Sequence, residues 1–135
     1  IDIYNPKKGT KAEKYIDEII EEQYENLVFE IKEEMFYGND RICDIYLNPK
    51  IKEKLRNYGF EIEEDSTLSW DTDESKKNKI IQELLENVKY NQYFYIIDNL
   101  TEEQISSKKI TIDFFIYDDV KEKLESKGYI VEVEI

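Results

Sequence analysis

The sequence predicts an α/β fold, with α+β as the alternative, in which two duplicated α-β-α-β units pack as one compact pseudo-symmetric domain. Three observations predict it. Runs with apolar residues at helical spacing alternate with short runs of β-branched and aromatic residues, the pattern of helices interleaved with strands. Residues 43–62 and 112–131 align without a gap, with six identities in twenty positions and apolar matches at Ile51/Val120, Phe60/Tyr129 and Ile62/Val131. A long amphipathic stretch precedes each copy at a similar distance. The repeats are expected over residues 1–70 and 71–135, and a chain of 135 residues is long enough to bury a core without disulfide or metal staples.

The opening "IDIYNP" is a candidate edge strand. Thr10 with Glu13 forms a capping box for a helix whose apolar residues (Ile16, Ile19, Ile20, Tyr24, Leu27, Val28, Ile31, Met35) keep a 3.6-residue period until Gly38 stops it. "RICDIYL" (41–47) reads as a strand, and Asn48-Pro49 opens a short helix closed by Gly59. "FEIEE" (60–64) alternates as a half-buried strand, and "TLSW" (67–70) returns as the second strand of a hairpin.

The second half follows the same plan. Asp71 with Glu74 caps a helix that runs through Ile80, Ile81, Leu84, Leu85 and Val88 and on through "YNQYFYIID". Thr101 and Gln104 form a T-x-x-Q box for one further helical turn. "KITIDFFIY" (109–117) is a strand, Asp119 with Glu122 caps the short helix containing KEKL, Gly128 ends it, and "YIVEVEI" is the last strand.

Composition narrows the function. The 32 acidic against 19 basic residues leave a net charge of −13, which disfavours direct nucleic-acid binding, because that affinity rests on basic side chains displacing counterions from phosphates. There is no His and one Cys, so His-based acid–base catalysis and Cys/His zinc sites are excluded. The four glycines fall at element boundaries and leave no phosphate-cradling loop. The run from Asp71 and Asp73 starts like a calcium loop but carries Lys76 and Gln82 where Gly and Glu are needed. The expectation is therefore a protein that is not an enzyme and takes no cofactor or metal. No apolar run reaches the length of a membrane span, so no membrane partner is expected. Cys43 reads as a buried thiol in a reducing cytosol.

A long helix, then a strand, a short helix ending L-x-x-x-G-[YF]-x-[VI], and a strand closing on Ser-Trp is similar to a class of small proteins encoded by bacteriophages and other large DNA viruses. Leu55, Gly59, Phe60, Ile62, Ser69 and Trp70 carry the resemblance, and Leu124, Gly128, Tyr129 and Val131 repeat all but the Ser-Trp part. It implies a viral origin and no activity.

Two acidic constellations are the candidate partner-binding residues. Glu18, Glu21, Glu22 and Glu25 fall at i, i+3, i+4 and i+7 of the first helix. Like charges at that spacing cost a helix roughly 0.2–0.5 kcal/mol per pair, so local stability does not explain them. The second spans Glu63, Glu64, Asp65, Trp70, Asp71, Asp73 and Glu74, where an exposed Trp among carboxylates suits an interface and a buried one a core plug. The leading expectation is a phage-type inhibitor in the host cytosol that blocks a host protein with a basic surface. An anti-CRISPR-like DNA mimic acting on a nucleic-acid-binding defence effector is the example. The alternatives are a protein that sequesters a small nucleotide-type ligand with Arg41, Arg56 or Lys127, and a virion or assembly component. A homodimer is a further expected partner state.

Overall fold

A computed structural model describes residues 7–64 and 66–135; the candidate strand "IDIYNP" and the acid Asp65 lie outside the described residues. The elements are α1 (Lys11–Phe36), β1 (Arg41–Ile42), α2 (Pro49–Asn57), β2 (Glu61–Glu63), β3 (Thr67–Ser69), α3 (Asp73–Lys77), α4 (Lys79–Asp98), α5 (Glu102–Ser107), β4 (Lys109–Ile112), α6 (Asp118–Ser126) and β5 (Ile130–Val133). This is a mixed α+β chain. It divides into two compact units, one of the residues up to Ile31 with Asp40–Ile81, the other of Lys32–Asn39 with Gln82–Ile135. The last turn of α1 thus belongs to the second unit.

In the first unit, Thr10 caps α1 by accepting from the Glu13 amide at 3.3 Å, while the Glu13 carboxylate reaches the Gly9 amide at 2.9 Å. Asn48 caps α2, its Oδ1 accepting from the Ile51 amide at 2.9 Å. The strands form a sheet of order β1-β3-β2 in which β3 runs antiparallel to both neighbours, Arg41 opposite Ser69 and Ile62 opposite Leu68. β1 and β2 are therefore parallel to each other, as a strand–helix–strand crossover requires, but β3 lies between them.

That insertion corrects two expectations at once. The predicted strand 41–47 is only two residues long, because Asp44 takes a left-handed φ of 56° and Ile45 then donates to Ser66 instead of continuing the register. Cys43 is exposed, not buried. The inward places go to Leu68 and Trp70, both buried, with the Trp70 ring edge-on to Phe60 at 6.4 Å.

The helix predicted to start at Asp71 also differs. Thr72 caps the short α3 by accepting from the Ser75 amide, and the backbone is extended at Asn78. Asn78 then caps α4, its Oδ1 accepting from Ile80 and Ile81. Buried Ser75 donates to the Gly59 carbonyl at 2.5 Å, which ties this break to the end of α2.

In the second unit, the Thr101/Gln104 box is complete at the start of α5. β4 and β5 pair directly and in parallel, Ile110 opposite Val131 and Ile112 opposite Val133. Tyr93, Ile96, Ile110, Ile112, Ile116, Val120, Leu124 and Val131 form the core. The Asp119/Glu122 cap is not present: α6 starts two residues earlier, at Asp118 after Tyr117, which makes no side-chain cap.

Several positions 69 residues apart play the same structural part in the two units. α2 and α6 have the same length and start 69 residues apart, and each ends on a glycine with φ near +90°, Gly59 and Gly128. Both stops are closed alike, Phe60 donating to Leu55 at 3.0 Å and Tyr129 to Leu124 at 3.3 Å. Buried Leu27, Leu47, Ile51 and Leu55 stand where the second unit has Ile96, Ile116, Val120 and Leu124. The core differs at the strand, where Ile110 and Ile112 correspond in number to Arg41 and exposed Cys43.

Candidate interaction surface

The α1 stripe exists as a surface. Glu18, Glu21, Glu22 and Glu25 are all exposed, opposite the buried Ile20, Leu27 and Ile31. Glu21 is not unengaged, because its carboxylate pairs with Lys54 of α2. Lys54 also stands 4.7 Å from the Tyr24 ring centroid, a cation–π contact. Burial, with the neighbouring Tyr58 and Glu21, pushes the Tyr24 hydroxyl up to about 12.

The stripe has a member that sequence reasoning missed. Phe29 is 72% exposed, and at 100° per residue it falls within roughly 20–40° of Glu18, Glu22 and Glu25 around the helix. Its signal was available: an aromatic on the polar side of an otherwise regular helical wheel. Phe29, and not Trp70, is thus an exposed aromatic close to carboxylates.

Trp70 itself is 4% exposed and packs as a core residue. Around it, Glu63, Glu64, Asp71, Asp73 and Glu74 are exposed. Several of these acids have local tasks. Asp71 pairs with Lys76 at 3.3 Å, and Asp73 and Glu74 occupy the first turn of α3, where negative charge favours a helix. Next to them, the Arg41 guanidinium donates to Asp40 at 2.9 Å and holds that carboxyl below its usual range. Of the cations considered for a nucleotide, Arg41 is thus engaged by Asp40, while Arg56 and Lys127 are exposed.

Each unit also forms a cavity against its long helix. In the first, Gln23, Asn26, Leu27, Glu30, Tyr46, Leu47, Asn48 and Ile51 line about 250 Å³. Gln23 accepts from the Asn48 amide at 2.8 Å, so the residue that caps α2 is itself braced by α1. In the second, Lys89, Tyr90, Tyr93, Asp119 and Lys123 are among the residues around 360 Å³. Lys123 stands 4.2 Å from the Tyr93 centroid, the same cation–π pair as Lys54 on Tyr24 at the same spacing. Burial opposes the Lys89 charge, but Asp119 at 2.7 Å and Glu86 at 3.6 Å hold its pKa above the ordinary value.

Gln92, which matches Gln23 in position, is fully buried. It donates to the carbonyls of Phe36 and Phe115, both at 2.9 Å, and accepts from the Tyr117 amide at 3.1 Å. The dipeptide Gln-Tyr at 23–24 and 92–93 was the sequence signal for this pairing of positions. Of the aromatic run at 90–95, Tyr93 is core, and Tyr90, Phe94 and Tyr95 are exposed.

Among the described residues, no group of three or more His, Cys, Asp or Glu side chains is placed to hold a metal ion, and no helix is long and apolar enough to cross a membrane. No protein-family model, curated protein or solved structure matches the chain.

Proposed function

We propose that the protein is an acidic interaction module of phage type that binds and inhibits a protein with a basic, nucleic-acid-binding surface. The observation that carries the reading is the α1 stripe, in which exposed Glu18, Glu22 and Glu25 run along one side of the helix towards exposed Phe29, one turn beyond Glu25. Carboxylates rising by roughly 4.5–6 Å along a rigid helix present negative charge at intervals a phosphate-binding groove can accept. The aromatic ring adds apolar area that nucleic-acid phosphates lack, and with it preference for a protein site. A net charge of −13 speeds encounter with a basic partner. A duplicated origin of the two units belongs to the same proposal, supported by the shared spacing of Gln23/Gln92, Tyr24/Tyr93, Lys54/Lys123 and Gly59/Gly128.

Affinity capture from a bacterial host lysate, repeated at low and high salt, tests the reading. A basic protein retained at low salt and released at high salt is the expected result; retention indifferent to salt sinks the electrostatic part. A nucleotide-type ligand is the second reading, favoured by Lys89 and Lys123 beside Tyr90 and Tyr93. It ranks lower because Asp119 and Glu86 already neutralise Lys89. A thermal-shift screen with nucleotides separates the two.

A further inference from the structure

The second unit contains an occupied version of a groove that no described residue fills in the first. Its occupant is the end of α1. The Phe36 carbonyl accepts from Gln92 at 2.9 Å, and the Met35 carbonyl accepts from the Tyr117 hydroxyl at 2.5 Å. The Phe36 ring meets Tyr95 edge-on at 5.8 Å and stacks on Phe114 at 6.1 Å. Phe115 lies so close to Gly38 that a Cβ there would come within 2.6 Å of the ring. This is how a helix end is held: its last carbonyls have no partners within the helix and must find donors elsewhere.

Sixty-nine residues earlier, the positions of Gln92, Tyr95, Phe115, Ile116 and Tyr117 are Gln23, Asn26, Tyr46, Leu47 and Asn48, which line the cavity of about 250 Å³. We propose that this cavity docks the C-terminal turn of a helix from a partner protein, with an Arg or Lys in that turn. The side-chain amides of Gln23 and Asn26 supply donors of the kind that carbonyl ends require, with Gln23 held in place by Asn48. Charge fixes the rest of the occupant. Glu30 lines the cavity where the second unit has neutral Asn99, and Asn26 replaces the Tyr95 ring that seats Phe36. A cation in place of Phe36 therefore fits, and Lys or Arg near the last turn also suits the negative end of the helix dipole. A second copy of this chain is a poor occupant, because its α1 end is already held by its own Gln92 and Tyr117. The proposal stands apart from the α1 stripe and does not depend on it.

The test uses the full chain and an alanine–lysine peptide of about 16 residues, long enough to be partly helical, ending Leu-Arg-Gly-amide. Side-chain amide resonances are followed by ¹⁵N NMR. Saturable shifts are expected at Gln23, Asn26 and Asn48 and not at Gln92. Glu30→Lys should weaken binding about ten-fold or more, the scale of one lost charge-assisted hydrogen bond. Asn26→Trp, at an exposed position, should plug the cavity, whereas Glu18→Lys should leave the affinity within two-fold or so. Absence of saturable shifts at millimolar peptide, shifts centred on Gln92 or on the acidic stripe, or an affinity unchanged in Asn26→Trp each overturns the proposal.

Discussion

Gln23 and Gln92 occupy matching positions on α1 and α4 and hold opposite states. Gln92 is fully buried with hydrogen bonds to Phe36, Phe115 and Tyr117, whereas Gln23 is exposed and braces Asn48. Gln92→Ala leaves buried carbonyls and an amide without partners, which should cost about 2–4 kcal/mol by urea denaturation. Gln23→Ala should cost about 1 kcal/mol or less, since water replaces the lost bond. Equal costs would show that the end of α1 is not held by Gln92.

Gly59 and Gly128 make the same stop with different surroundings. A Cβ on Gly59 would lie 2.7 Å from the Asn78 side chain, while at Gly128 nothing lies within 4 Å. Both alanine variants carry the penalty of a positive φ, roughly 1–2 kcal/mol. Gly59→Ala also displaces Asn78 from the start of α4, adding about 0.5–2 kcal/mol for a lost cap. Thermal unfolding should therefore place Gly59→Ala well below Gly128→Ala.

The insertion of β3 can be read with two chemical probes. Buried Trp70 should emit at short wavelength and resist iodide quenching until the protein unfolds. Exposed Cys43 should react with a thiol reagent in the native protein at nearly the rate seen in denaturant. A protected Cys43 with a quenchable Trp70 would mean that β1, not β3, faces the core.

Stability should fall in alkali partly through Tyr24. Its hydroxyl is raised to about 12 by burial, Tyr58 and Glu21, so the unfolded chain, titrating near 10, loses its proton first. The native state then holds more protons than the unfolded one between pH 10 and 12. The stabilisation is fully present below pH 10 and is lost as pH rises through 12. Tyr24→Phe should flatten that part of the curve of denaturation midpoint against pH; an unchanged slope would place the effect elsewhere.

Most helices were legible because their signals are local. The 3.6-residue period from Ile16 to Met35, the Asn48-Pro49 start and the Thr101/Gln104 box act within one or two turns. What the sequence concealed is non-local. "RICDIYL" has the composition of a buried strand, but β3 arrives from twenty residues later and takes its place beside β2, exposing Cys43 and burying Trp70. The caps offered by Asp71 and Asp119 met the local pattern, yet Thr72 and the backbone after Tyr117 start those helices. The acidic stripe was readable residue by residue, whereas the pairing of Glu21 with Lys54 depends on a contact across 33 positions.

The acidic face of α1 is the proposed contact surface. Its most direct test is titration calorimetry of the captured basic protein against the wild type and against Glu18→Lys/Glu22→Lys/Glu25→Lys, at about 50 and 500 mM salt, a range across which screening of exposed charges changes strongly. The wild type should bind far more weakly at high salt and the triple variant should lose affinity at low salt, with Phe29→Ala weakening binding at both. Affinity that survives the reversal and ignores salt would contradict that surface.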